Sequence, residues 1–395
     1  MNLLYTITGY PPAIGGAQAY MHSLARQMAE RHDVRVAAHW DRTRTDWLLG
    51  TTLRAPRRPG PHAYEVDGVP VHLIAPTAAE RLGMAPAVAA YYLLKGPAIE
   101  HISARLARHL APMAGDASLV HNGRMGREPL SFASLHLARR LGLPFVLTPF
   151  HHPRWVGWNY QHYLWLYRQA DAVLALTETE RQALIGLGVA PQRITVTGMG
   201  PVLAPSADGE DFRHRFRLDG PIVLFVGQKY RYKGVEALLG AAPLVWADFP
   251  DAHFLFLGPG TRHSQALFRQ HQDARIVDLG VVDLATKSDA LAACTLLCLP
   301  SSQESFGAVL VEAWMMGKPV LGGPAPAVRE VIDDGVDGFL VSQDCTVLAD
   351  RIVDLLARPA LGAEMGRRGR EKALARYTWP RVAARTEAIY RALVG

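Results

Sequence analysis

Two carboxylates, Glu304 and Glu312, stand with seven residues between them in the segment from Pro300 to Trp314. The apolar run before it, residues 295–299, reads as a buried strand, and 306–316 reads as a helix. Glu304 then occupies the strand-to-helix turn, with Glu312 about two turns along the helix. Eight residues at ~1.5 Å rise span about 12 Å, and eight steps of ~100° return to within roughly 80° of the first direction. Both carboxylates can therefore face one ligand longer than a sugar ring. Ser305, Phe306 and Gly307 lie between them, and the amides of Phe306 and Gly307 fall at a helix N-terminus, which favours an anion. Carboxylates for hydroxyls and an amide cradle for phosphate suit a nucleotide-sugar.

Three further constellations sit at predicted strand-to-helix turns. Gly15 and Gly16 follow the first strand and precede the first helix; they admit either a close backbone approach to phosphate or a tight structural turn. They match neither the dinucleotide fingerprint nor a Walker A sequence. Gly227, Gln228, Lys229, Arg231 and Lys233 gather three cations beside glycine, which suits a pyrophosphate, with Lys233 at the mouth of the next helix; a solvated basic turn is the plain alternative. His151 and His152 follow the strand 145–148, where open α/β sheets hold ligands beyond the carboxyl ends of their strands. They read as donors to a substrate or as plain surface histidines; Pro153 and the lack of nearby carboxylates or thiols count against a metal site. Gly258, after another strand, allows a close pass by a nucleotide, although a structural turn explains it too.

Apolar β-rich runs alternate with amphipathic stretches throughout, which predicts parallel βαβ units. Strands are expected at 3–8, 34–38, 69–74, 118–121, 145–148, 172–176 and 194–196, and a helix at 17–32. Residues 41–66, with Arg, Pro, Gly and Thr, read as a surface loop. The pattern lapses at 198–220 and resumes with strands at 222–226, 253–257, 275–278, 296–299, 320–322 and 338–341. The tail 361–393 reads as helix broken at Trp379-Pro380, with its end turning back onto the first domain. Two Rossmann-like α/β domains, 1–205 and 206–378, with 379–395 returning to the first and a cleft between them, are the expected architecture.

A chain of 395 residues exceeds one usual core, and 49% hydrophobic with 20% charged residues is ordinary globular composition. No run of eighteen apolar residues predicts a spanning helix, and the start reads as a strand, not a signal peptide. Cys294, Cys298 and Cys345 read as buried thiols of a reducing cytoplasm. The charge is uneven: residues 1–205 hold 20 Lys and Arg against 13 Asp and Glu, whereas 206–395 hold 22 against 23. A basic first half fits an anionic membrane surface, a phosphate-bearing acceptor, or ordinary solvated arginines. Without aromatic stacking motifs, nucleic-acid binding is not expected.

Together the segments at Gly15-Gly16, Phe225 to Gly234, Glu304 to Glu312 and Lys318 to Val341 resemble the retaining GT-B glycosyltransferases of the family 4 group, over nearly the whole chain. The resemblance implies a metal-independent hexosyl transfer from a nucleotide-diphosphate sugar, held mainly by the second domain, to a hydroxyl acceptor that docks on the first. A lipid-linked or membrane-surface acceptor fits, which would make the protein cytoplasmic and peripheral on the inner membrane face. By similarity, Glu304 lies by the sugar hydroxyls and Glu312 by the ribose, while Phe306, Gly307, Lys233 and Gly16 hold the diphosphate. By the same similarity one of His151 and His152, with His152 slightly preferred, contacts the sugar near the reacting carbon. One departure is Gln228, where the family usually has Arg; Lys229 or Arg231 would have to supply the missing charge. No cofactor is expected. A nucleotide-sugar-binding protein without transferase activity, a GT-B-like epimerase and a phosphorylase are the competing readings.

Overall fold

The computed structural model describes residues 1–42, 44, 46–56, 62–124, 126, 129–152, 155 and 157–395. They divide into two units, Met1–Gly198 with Trp379–Gly395, and Met199–Thr378. In the first, the strands are β1 (Asn2–Gly9), β2 (Asp33–Trp40), β3 (His62–Val66), β4 (Val69–Leu73), β5 (Leu119–Gly123), β6 (Phe145–Thr148), β7 (Ala172–Ala175) and β8 (Ile194–Val196). They form one sheet in the order β3-β4-β2-β1-β5-β6-β7-β8. All neighbours pair in parallel except β3 with β4. The second unit has β9 (Ile222–Val226), β10 (His253–Leu257), β11 (Ile276–Gly280), β12 (Leu296–Leu299), β13 (Val320–Gly322) and β14 (Phe339–Leu340). Its six-stranded sheet is parallel throughout, in the order β11-β10-β9-β12-β13-β14.

Central strands of such sheets are covered on both faces, which explains why they are apolar runs without alternation. Seven of the eight residues of β1 are buried, and so are the first four of β9. Several polar residues break that rule in the first sheet, among them His121 and Asn122 in β5, which are fully buried. Each of these two is held by hydrogen bonds, Asn122 Nδ2 donating to Thr6 and His121 Nε2 pairing with Thr148 Oγ1 at 2.8 Å. The last helix, Trp379–Val394, belongs to the first unit, where Tyr390 Oη meets both His121 Nδ1 at 2.6 Å and Tyr5 Oη at 2.8 Å.

The expected loop over 41–66 is corrected by the structure. It holds the helix Trp47–Thr51 and the edge strand β3, paired with β4 from His62↔Leu73 to Val66↔Val69. Between them Asp67 and Gly68 both take positive φ, 49° and 78°, the turn that an Asp-Gly hairpin requires. An edge strand buries little, so its apolar signal is weak; the Val-Asp-Gly-Val sequence was the readable clue. Residues 43, 45 and 57–61 of that segment lie outside the described residues.

Candidate active site

In the second unit the expected donor residues gather at the carboxyl ends of β9, β10 and β12. After β9 the chain forms a turn in which Ser302 N donates to Tyr232 O, and Gln343 Nε2 donates to both Tyr232 O and Pro300 O. These bonds tie the β9 turn to the β12 turn. Gly234 closes the first with φ 80°, and a Cβ there would meet Pro300 Cγ at 2.7 Å. Lys233 Nζ consequently reaches Glu304 Oε1 at 2.5 Å, with the two side chains only 16% and 11% exposed. An ammonium and a carboxylate so close and so poorly hydrated form a preset hydrogen-bonding pair.

Glu304 is followed by the turn 305–307 and the helix Ala308–Met315. Gly307 caps that helix with φ 90°, and Phe306 is buried edge-on to Tyr377. Both amides lie ahead of the first helical residue, as the anion cradle requires. Glu312 is nearly buried. Its Oε1 accepts from Val202 N at 3.1 Å and its Oε2 from Lys287 Nζ at 2.9 Å, so it also pins residues 199–204 to this unit. Each oxygen keeps a further lone pair.

Lys229 corrects the expectation that it could replace the missing arginine. Its side chain has no exposure, forms an ion pair with Asp278 at 2.8 Å and donates to Gly258 O. The ammonium is committed to joining β9, β10 and β11, and it cannot reach a phosphate. Gly258 is the close approach in that join, since a Cβ there would meet Gly227 O at 2.2 Å. Arg231 is the opposite case, 83% exposed and 3.9 Å from Glu236. Gln228 is partly exposed on the same turn.

In the first unit Gly15 and Gly16 precede the helix Gly16–Ala29. A Cβ on Gly16 would meet nothing within 4 Å, whereas one on Gly15 would strike Gln18 Oε1 at 2.3 Å. The histidine loop follows β6 and begins with Phe150 at φ 44°, a strained value for a bulky residue. Phe150 packs edge-on against Tyr20 of that helix. His151 is buried, its backbone N–H donating to Glu180 Oε1 at 2.6 Å and its ring edge-on to Tyr167. Burial, reinforced by the Arg124 charge, pulls its pKa down to about 4. His152 is partly exposed and tilts against Trp155. Pro153 and Arg154 lie outside the described residues.

Residues 15–200 match the family described as a glycosyl transferase 4-like domain, and 220–358 match glycosyl transferases group 1. The α-maltose-1-phosphate synthase of Mycolicibacterium smegmatis is 30% identical over 294 residues, covering 65% of this chain and 75% of that protein. This chain belongs to the family 4 glycosyltransferases. The phosphatidyl-myo-inositol mannosyltransferase of Mycobacterium tuberculosis is 34% identical over 203 residues, covering 48% of this chain and 53% of that protein. The chain thus spans about half the length of such curated relatives. Anabaena HepE, solved with UDP and glucose, superposes with TM-score 0.76 at 19% identity over 100% of both chains. The fold is GT-B.

Three side chains of this family 4 member escaped the reading of the sequence. Glu180 clamps two loops, its Oε1 accepting from His151 N and its Oε2 from Leu176 N. Thr177-x-x-Glu180 reads as a capping box, which hides that second duty. Arg124 and Tyr167 lie beneath the histidine loop; nothing in the local sequence marks Arg124, and Tyr167 belongs to an aromatic run, 155–167, that reads from sequence mostly as helix core.

Proposed function

We propose that the chain is a retaining glycosyltransferase that moves a sugar from a nucleotide-diphosphate sugar to a hydroxyl acceptor. The observation that carries this reading is the Lys233–Glu304 pair beside the Phe306 and Gly307 amides. Lys233 and the two amides meet the diphosphate, Glu304 accepts hydrogen bonds from sugar hydroxyls, and Glu312 offers its remaining lone pairs to the ribose. Arg231, exposed on the same turn, supplies the charge that Gln228 lacks. The negative charge that grows on the leaving phosphate is thus met by fixed cations and dipoles, which is electrostatic preorganisation. No metal is needed for that balance.

In the proposed reaction the acceptor oxygen bonds to the anomeric carbon on the face from which the phosphate leaves. The carbon–phosphate oxygen bond breaks, and the acceptor proton passes to that phosphate oxygen. His151 or His152 steadies the sugar. Tyr92, Leu93, Leu94 and Trp158, at 57%, 85%, 58% and 56% exposure, offer apolar surface, and Lys95 Nζ lies 3.7 Å over Trp158. Exposed apolar side chains of this kind suit a membrane surface, where a lipid-linked acceptor would be met.

Incubation with UDP-, GDP- and ADP-sugars, with NMR of the anomeric carbon of the product, tests the reading. Release of nucleoside diphosphate with retained configuration is expected from one donor class. An inverted product, or no turnover of any bound donor, would remove it.

A further inference from the structure

We propose that Arg124 and Tyr167 are positioning residues that fix His151 as the tautomer protonated on Nε2, so that it donates a hydrogen bond to the bound sugar. The inference rests on the transferase reading for the identity of the ligand, but the tautomer stands on the geometry of the first unit alone.

Arg124 follows the last residue of β5 and is fully buried. Its backbone N–H donates to Thr148 O, which places the side chain under the start of the histidine loop. The guanidinium stacks 4.6 Å from the Trp155 ring and 5.2 Å from that of Tyr167, and Nη1 donates to Tyr167 Oη. Nε and Nη2 have no acceptor among the described residues. Arginine has no lone pair to offer and keeps its proton, so the Tyr167 oxygen must accept.

Tyr167 is itself fully buried, and its own O–H then needs an acceptor. His151 Nδ1 lies 3.4 Å from Tyr167 Oη. A nitrogen that accepts this proton is bare, and in a neutral imidazole the proton then resides on Nε2. The ring is neutral at pH 7 because burial and the Arg124 charge oppose a second proton. The loop is held at the same time by Glu180 on the His151 amide.

A neutral ring with Nε2–H is a hydrogen-bond donor and not a base at that nitrogen. It suits a sugar hydroxyl oxygen, and it matches a front-face reaction in which the phosphate itself takes the acceptor proton. The chain of donors that begins at Arg124 ends on the His151 ring.

The test is 15N NMR of ring-labelled histidine in the ligand-free protein, with His151 assigned through His151→Gln. A bare Nδ1 and a protonated Nε2 are expected. Tyr167→Phe keeps the ring volume and removes the oxygen, so the His151 signals should move toward a tautomer mixture. Its kcat for transfer should drop about tenfold or more with donor KM little changed, as for a hydrogen bond that matters mainly in the transition state. Arg124→Met should shift the same ring signals; if that variant unfolds, the wild-type spectrum and Tyr167→Phe still decide. Protonated Nδ1 in the wild type, or unchanged signals in folded Tyr167→Phe, overturns the relay. A correct tautomer combined with full transfer by folded His151→Leu, which has no donor, overturns the sugar contact alone, while absence of transfer from any donor in the wild type would remove the transferase reading instead.

Discussion

Lys233 and Glu304 pair with each other, so on the proposed reading a diphosphate draws Lys233 away from a carboxylate that hydroxyls then satisfy. That exchange couples the two ends of the donor. Lys233→Met should weaken donor binding by about ten- to hundredfold, the usual worth of a charge-assisted bond at about 1.5–3 kcal/mol. Calorimetric titration with the preferred donor would read it, and unchanged affinity would exclude Lys233 from the phosphate site. Glu304→Gln keeps the shape and loses the charge; it should lower transfer kcat/KM at least about tenfold while the melting temperature moves little. Full activity in the folded variant would remove Glu304 from the site. Gly307→Ala forces a Cβ to within 2.9 Å of Leu310 Cδ1 at φ 90°, and about 1–3 kcal/mol of stability should go with it.

The terminal helix Trp379–Val394 shows why an element far along the chain matters to the first sheet. Its Tyr390 completes a buried line from Tyr5 through His121 to Thr148, the residue that ends β6 just before the histidine loop. Tyr390→Phe would leave His121 Nδ1 and Tyr5 Oη short of a partner, at a cost of about 1–3 kcal/mol for a buried unsatisfied group. Thermal unfolding should show the loss as a melting point lower by several degrees, and an unchanged value would mean that water replaces the phenol. Glu387 adds a charged hinge, accepting from His32 at 3.1 Å and from Arg391 at 2.6 Å. Such long-range partners add to the buried stripe of Trp379, Val382, Ala383, Thr386 and Tyr390 in docking the helix.

Across the molecule, three histidines buried in the first unit set a limit on acid tolerance. His39 and His121 are held down to about 3 and His151 to about 4, in each case chiefly by burial. Unfolded, each binds a proton near 6.5; folded, none does until far lower pH. Stability is therefore full above about pH 6.5 and is lost as pH falls toward 4, by about 1.4 kcal/mol per pH unit for each ring. Melting at pH 7.5 and pH 5.5 should differ by several degrees, and equal values would show that the folded rings take protons. The basic excess of residues 1–205 predicts salt-sensitive flotation with anionic vesicles, reduced by Leu93→Asp, while neutral vesicles should not bind. The sequence by itself determined two parallel α/β sheets, because strands covered on both faces must be apolar runs and helices must show one stripe. It also determined which turns carry glycines, cations and carboxylates, since those residue types and their spacing at strand ends are read directly from the chain. Only the tertiary structure decided that Lys229 is a buried strut while Lys233 meets Glu304, because two lysines four residues apart look alike until their surroundings are known. It alone revealed Arg124 and Tyr167 beneath His151, because a proton's position depends on partners that the chain brings together from distant strands and helices.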